Sequence, residues 1–94
     1  MWRIEEHRRV DKQLHGAPPD LLKRYEKWKD IAELSGPRGL RWIKGFHDEA
    51  LQAEWQGYRS SRLGLKYRVI YRVIAGESLF QVVHFTPHNY RRVG

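Results

Sequence analysis

Apolar residues recur along this chain with two different periods. In the C-terminal half they alternate. Tyr67, Val69, Tyr71 and Val73 are interleaved with Arg68, Ile70 and Arg72, a period of two that predicts a strand from Leu65 to Ala75. In the N-terminal half they follow helical spacing. Leu21, Tyr25, Trp28 and Ala32 form one stripe, widened by Leu22, Ile31 and Leu34. Pro18-Pro19-Asp20 is a start signal for that helix and Ser35-Gly36-Pro37 a stop. Val10 and Leu14 lie four apart on a shorter helix that Gly16 can end, preceded by a short strand from Trp2 to Glu6. Trp55 to Leu63 and Leu79 to Phe85 are two further strands. Gly64-Leu65 is read as a two-residue turn and residues 75–78 as the next. Residues 39–56 mix both kinds of side chain and read as a connecting loop. The order predicts an α+β fold, with two N-terminal helices packed on one face of a mostly antiparallel four-stranded sheet, in a single domain spanning residues 1–94.

The turn sets an expected register. With Gly64 and Leu65 as loop, Ser61 pairs with Arg68, Arg59 with Ile70, and Tyr58 with Tyr71. Arg59, Ser61, Arg68 and Arg72 then share one face, and His84 falls with Val69 on the helix-covered face. A slip of one residue exchanges the faces. Residues 59–72 hold four arginines and no carboxylate. A face built for solvation mixes signs, so this run points to an anion.

Composition sharpens that reading. Eighteen Lys and Arg oppose eleven Asp and Glu, a formal charge of +7. The excess suits nucleic acid, an acidic protein partner or an anionic membrane surface. Cysteine is absent, which excludes a disulfide scaffold and a thiolate metal site. No stretch of about 18 apolar residues offers a membrane span. The start, Met1-Trp2-Arg3-Ile4, lacks the pattern of a signal peptide, so a cytoplasmic location is expected.

The run from Gly57-Tyr58-Arg59 through Lys66-Tyr67-Arg68-Val69-Ile70-Tyr71-Arg72-Val73, together with the tail Pro87-His88-Asn89-Tyr90-Arg91-Arg92, resembles the RelE/ParE superfamily of bacterial toxin–antitoxin toxins. The likeness is greatest to its RelE, YoeB and HigB-like messenger-RNA interferases. It covers nearly the whole chain. The resemblance implies a ribosome-dependent, metal-independent endoribonuclease that halts translation, with no cofactor and with a cognate antitoxin, the ribosome and messenger RNA as partners. The alternative is the ParE branch, whose members inhibit DNA gyrase without nuclease chemistry. By resemblance, Arg68 matches the central catalytic arginine and Glu49 the general base of YoeB-like members. His88 and Tyr90 resemble the C-terminal pair that acts as acid or stacks on the messenger. Arg59 matches a basic position on the preceding strand. Ser61 stands where RelE itself has a lysine, which favours the YoeB-like arrangement.

These residue types suit the chemistry. Metal-free RNA cleavage needs a base for the ribose 2′-hydroxyl, cations on the phosphate and an acid for the leaving oxygen. Guanidinium is permanently charged and can bind two phosphate oxygens at once, which suits Arg68, Arg59 and Arg72. Ser61 can add a hydrogen bond. Arg91 and Arg92 supply general attraction to phosphate. Outside the resemblance, Glu49 also reads as a plain loop carboxylate, His88 as an exposed tail histidine and Tyr90 as an anchor for the tail. His84 and His88 straddle Pro87 and form no helical zinc pair. His84 reads as a core histidine, and Trp2, Trp28, Trp42 and Trp55 as core.

Overall fold

The structure is a computed structural model that describes residues 1–87. Five strands form one sheet in the order β1-β5-β4-β3-β2. They are β1 (Arg3–Glu6), β2 (Glu49–Ala50), β3 (Arg59–Arg62), β4 (Arg68–Ile74) and β5 (Leu79–Thr86). β1 joins β5 in parallel and the other pairings are antiparallel. The α+β class and the two helices match expectation. The fifth strand is the two-residue β2, which lies inside the stretch read as loop.

Helix α1 (Arg8–His15) begins where the His7 ring accepts a hydrogen bond from the Arg9 N–H, and ends at Gly16. Helix α2 (Pro19–Trp42) buries Tyr25, Trp28, Ala32 and Leu40 against the sheet. Trp28 lies edge-on to Tyr71 and Phe80, at 5.3 and 6.0 Å between ring centres, and Tyr25 stacks on it at 5.9 Å. The expected stop at Ser35-Gly36-Pro37 is a kink instead. Gly36 has φ 68°, and a Cβ there would sit 2.6 Å from Nε1 of Trp2. Only glycine fits both conditions. Pro37 then suits the first turn of a new helical segment, where its missing N–H is not needed. Burial of Leu40 holds that segment in place as far as Trp42.

The β3–β4 connection departs from expectation in a way that matters. Arg62 pairs with Arg68, and Leu63 to Tyr67 form the loop, closed by the Leu63 N–H donating to the Tyr67 carbonyl. Leu63 is 2% exposed, so the chain lengthens the loop to keep that side chain in the core. The change shifts the register by one residue. Arg59 pairs with Tyr71, Ser60 with Ile70 and Ser61 with Val69. The faces of β4 stay as read, but those of β3 are exchanged. Arg59 and Ser61 therefore lie on the helix side. Tyr58 and Ser60 lie on the open side with Arg68 and Arg72.

The β4–β5 turn is as expected, with Ile74 opposite Leu79 and Arg72 opposite Gln81. An irregularity between Ile70 and Tyr71 leaves Val83 unpaired and sets His84 opposite Ile70. His84 thus belongs to the open face. It is no core histidine beside Val69. Nor is every tryptophan core: Trp42 is 81% exposed, and Trp55 lies against His84 with ring centres 6.2 Å apart.

Candidate active site

β2 brings two adjacent carboxylates to the edge of β3, and strand alternation sends them to opposite faces. Glu49 pairs with Ser60 and Ala50 with Arg59. Asp48, one residue earlier, turns toward the helix side. Its side chain is fully shielded from solvent. Oδ1 accepts from Arg59 Nε at 2.7 Å, and Oδ2 accepts from Ser61 Oγ at 2.7 Å and from the Tyr71 hydroxyl at 2.5 Å. Burial alone would lower the Arg59 guanidinium, but the hydrogen bond and charge of Asp48 outweigh it and raise its pKa. Burial, reinforced by the Asp48 charge, pushes the Tyr71 hydroxyl well above its ordinary range. The cluster is closed and satisfied.

The open side holds a looser group. Arg68 Nη1 lies 3.6 Å from Glu49 Oε2 and 3.4 Å from Ser60 Oγ. The Glu49 side chain is 40% exposed and that of Arg68 is 15%. Both separations exceed a good N–H···O bond. Thr86 of β5 is the neighbour of Arg68 across the sheet.

The structure sets Arg68 beside Glu49 and separates both from Arg59 and Ser61. The expected four-residue cationic face is corrected. Two of its members, Arg68 and Arg72, share the open face, and the other two hold Asp48. Sequence reasoning missed Asp48 and Ser60. The one available signal for Asp48 was a carboxylate a single position from Glu49, and that signal was weak. His88, Tyr90, Arg91 and Arg92 lie outside the described residues.

Arg72 continues the open face. Its Nε donates to Gln81 at 2.8 Å, and its guanidinium lies 5.6 Å from the centre of the Tyr58 ring. Burial first, and the charge of Arg9 second, lower the pKa of His84, which shares a 3.1 Å contact with the Gln13 amide. An ionised carboxylate beside a fixed guanidinium can take a proton from one oxygen while the cation holds another, the arrangement that phosphodiester transesterification asks for.

A mixed five-stranded sheet with two helices packed against it is a RelE-like fold, as the sequence resemblance implied. The archaeal RelE–RelB complex from Pyrococcus horikoshii contains a chain 27% identical to this one, with a TM-score of 0.75, covering 94% of this chain and 96% of that one. The YoeB/ParE toxin from Agrobacterium tumefaciens is 14% identical with a TM-score of 0.71, covering 93% and 99%. A YoeB–YefM complex from Staphylococcus aureus gives 15% and 0.69, covering 95% and 99%. No protein-family model and no curated protein sequence matches the chain. Among the described residues, no helix is long and apolar enough to cross a membrane.

Proposed function

We propose that this chain is the toxin of a bacterial type II toxin–antitoxin system, acting as a ribosome-dependent messenger-RNA endonuclease that blocks translation by metal-independent cleavage at the ribosomal A site. The observation that carries this reading is the Glu49–Arg68 pair, set together on the open face of a RelE-like sheet. Glu49 takes the proton of the ribose 2′-hydroxyl. Arg68 neutralises the charge that develops on the phosphate as the 2′-oxygen attacks. His88 or Tyr90 returns a proton to the departing 5′-oxygen. Arg72, Arg91 and Arg92 hold flanking phosphates. The requirement for a 2′-hydroxyl restricts the reaction to RNA. Arg59 and Ser61 have no part in this mechanism, because Asp48 engages both.

The partners are a cognate antitoxin, the ribosome and messenger RNA, in the cytoplasm. The P. horikoshii and S. aureus structures are complexes with RelB and YefM, which supports an antitoxin partner here.

The test is to map messenger ends after brief expression in cells, wild type beside Arg68→Ala. New ends inside translated codons, absent in the variant, are the expected result. Gyrase-linked DNA breaks without such ends would replace this reading with the ParE-like one.

A further inference from the structure

A second feature of the open face extends the role given to Arg72. A hollow of about 550 Å³ lies over the sheet, lined in part by Trp55, Tyr58, Arg72, Arg9 and Gln81. Its size falls in the range of small-ligand sites, roughly 300–1,000 Å³. Its wall is aromatic. Trp55 meets Tyr58 edge to face at 5.6 Å and lies tilted against His84 at 6.2 Å, which fixes the indole from two sides. The backbone also holds it in place. Ala53 sits at φ 55°, a conformation alanine avoids, in the short turn Ala53–Trp55 that carries the indole. Its rim carries both signs, Arg9 and Arg72 with Glu5 and Glu6. Gln81 engages only Nε of Arg72, and among the described residues no carboxylate pairs with that guanidinium. Glu5 accepts from the same Gln81 at 3.4 Å, Glu6 is engaged by Tyr25 and Lys29, and Arg9 is engaged with His7, so Arg72 is the cation placed to hold a phosphate.

We propose that this hollow is a subsite for one unpaired nucleotide of single-stranded RNA, its base stacked on Trp55 and its phosphate held by Arg72. An aromatic platform beside arginine is what unpaired bases stack on, and every base offers a π-face to it. Arg72 follows Arg68 by four residues on the same face of β4, about 13 Å along the strand. A strand that runs along β4 from a scissile phosphate on Arg68 passes over the hollow. The assignment rests on the endonuclease reading for the direction of that strand. The subsite itself requires no cleavage.

The experiment uses fluorescein-labelled hexanucleotides that are 2′-O-methylated throughout, which bind without being cut, with anisotropy read over a series of salt concentrations. Trp55→Ala should weaken binding about ten- to hundredfold, and Trp55→Phe should recover most of that. Arg72→Gln should weaken binding less and lower the salt slope by about one counterion. Wild-type affinity in Trp55→Ala, or an unchanged slope in Arg72→Gln, would overturn the subsite. So would a wild type that binds no hexamer at about 1 mM. Should Trp55→Ala fail to fold, the Trp55→Phe and Arg72→Gln arms decide the matter. Trp55-dependent binding without new messenger ends in cells would sink the nuclease and leave the subsite standing. New ends with Trp55-independent binding would do the reverse.

Discussion

Asp48 and Glu49 are neighbours in the chain, carry the same charge and meet the same kind of partner, an arginine. They end in opposite circumstances. Asp48 has no solvent exposure and accepts three hydrogen bonds of 2.5 to 2.7 Å. Glu49 is 40% exposed and stands 3.6 Å from Arg68. The cause is the pleat, which turns successive side chains to opposite faces. One face is roofed by α2, so a charge there survives only if every lone pair is matched. On the other face Glu49 is partly exposed, and water can reach its carboxylate. A carboxylate enclosed with three donors is out of a substrate's reach, and a partly exposed one is within it. The comparison divides the two arginines as well: Arg59 is tied to Asp48 on the helix side, and Arg68 lies beside Glu49 on the other.

The most damaging way to break this contrast is Arg59→Ala. It leaves the Asp48 charge enclosed with two hydroxyl donors and no cation. Removing one partner of a buried pair costs about 3–5 kcal/mol. Chemical denaturation should show that loss, while cleavage per folded molecule stays near wild type. A drop in cleavage beyond the folded fraction would return Arg59 to the active site. On the other face, Glu49→Gln should cost about 10²–10⁴-fold in cleavage. Its stability should change by under about 1 kcal/mol, because a carboxylate partly in water loses little when its charge is removed. Equal stability losses in the two variants would erase the distinction between the faces.

Asp48→Asn should fall between them, at about 1.5–3 kcal/mol, the range for hydrogen bonds to a charged group. It costs less than Arg59→Ala for a structural reason. Arg59 is 25% exposed and can turn toward water, whereas Asp48 cannot. A thermal or urea melt that reverses this order would show that Asp48 has access to solvent.

Much of this architecture was legible in the sequence, and the limits are physical. The alternation of Tyr67, Val69, Tyr71 and Val73 with Arg68 and Arg72 places β4 correctly, because both of its faces are determined by burial. β3 carries no such code. Arg59, Ser60, Ser61 and Arg62 are polar throughout, so nothing in them opposes a slip of one residue. The loop length decided it, and that length follows from burying Leu63, a tertiary contact beyond local turn preferences. The absence of carboxylates in residues 59–72 misled for a related reason. The matching acids stand on β2, whose two residues are too few to show a period. Arg68 with Glu49 was found through the family resemblance; spacing alone leaves Glu49 a loop residue.

The smallest expected effect sharpens the contrast through pH. On the roofed face, burial and Asp48 raise the Tyr71 pKa above its ordinary 10.0. Below pH 10 the hydroxyl is protonated folded or unfolded, and its contribution is complete. As pH rises further the unfolded chain ionises first, so stability falls. The open face carries the opposite signature. Burial and Arg9 lower His84 below its ordinary 6.5. Above 6.5 the ring is neutral in both states and the contribution is complete. As pH falls the unfolded ring takes up its proton first, and stability is lost through the folded value. One proton can tilt stability by at most about 1.4 kcal/mol per pH unit. Melting temperatures of wild type and His84→Gln between about pH 7.5 and pH 5 should therefore diverge in slope, the wild type falling more steeply. Arg9→Gln should flatten the wild-type slope, since it removes the second cause of the shift while Trp55 and Gln13 remain in place. Identical slopes in wild type and His84→Gln would mean that His84 titrates as it does in water, with no indole pressed against it, and the open face would then be bare sheet where the structure has an aromatic wall.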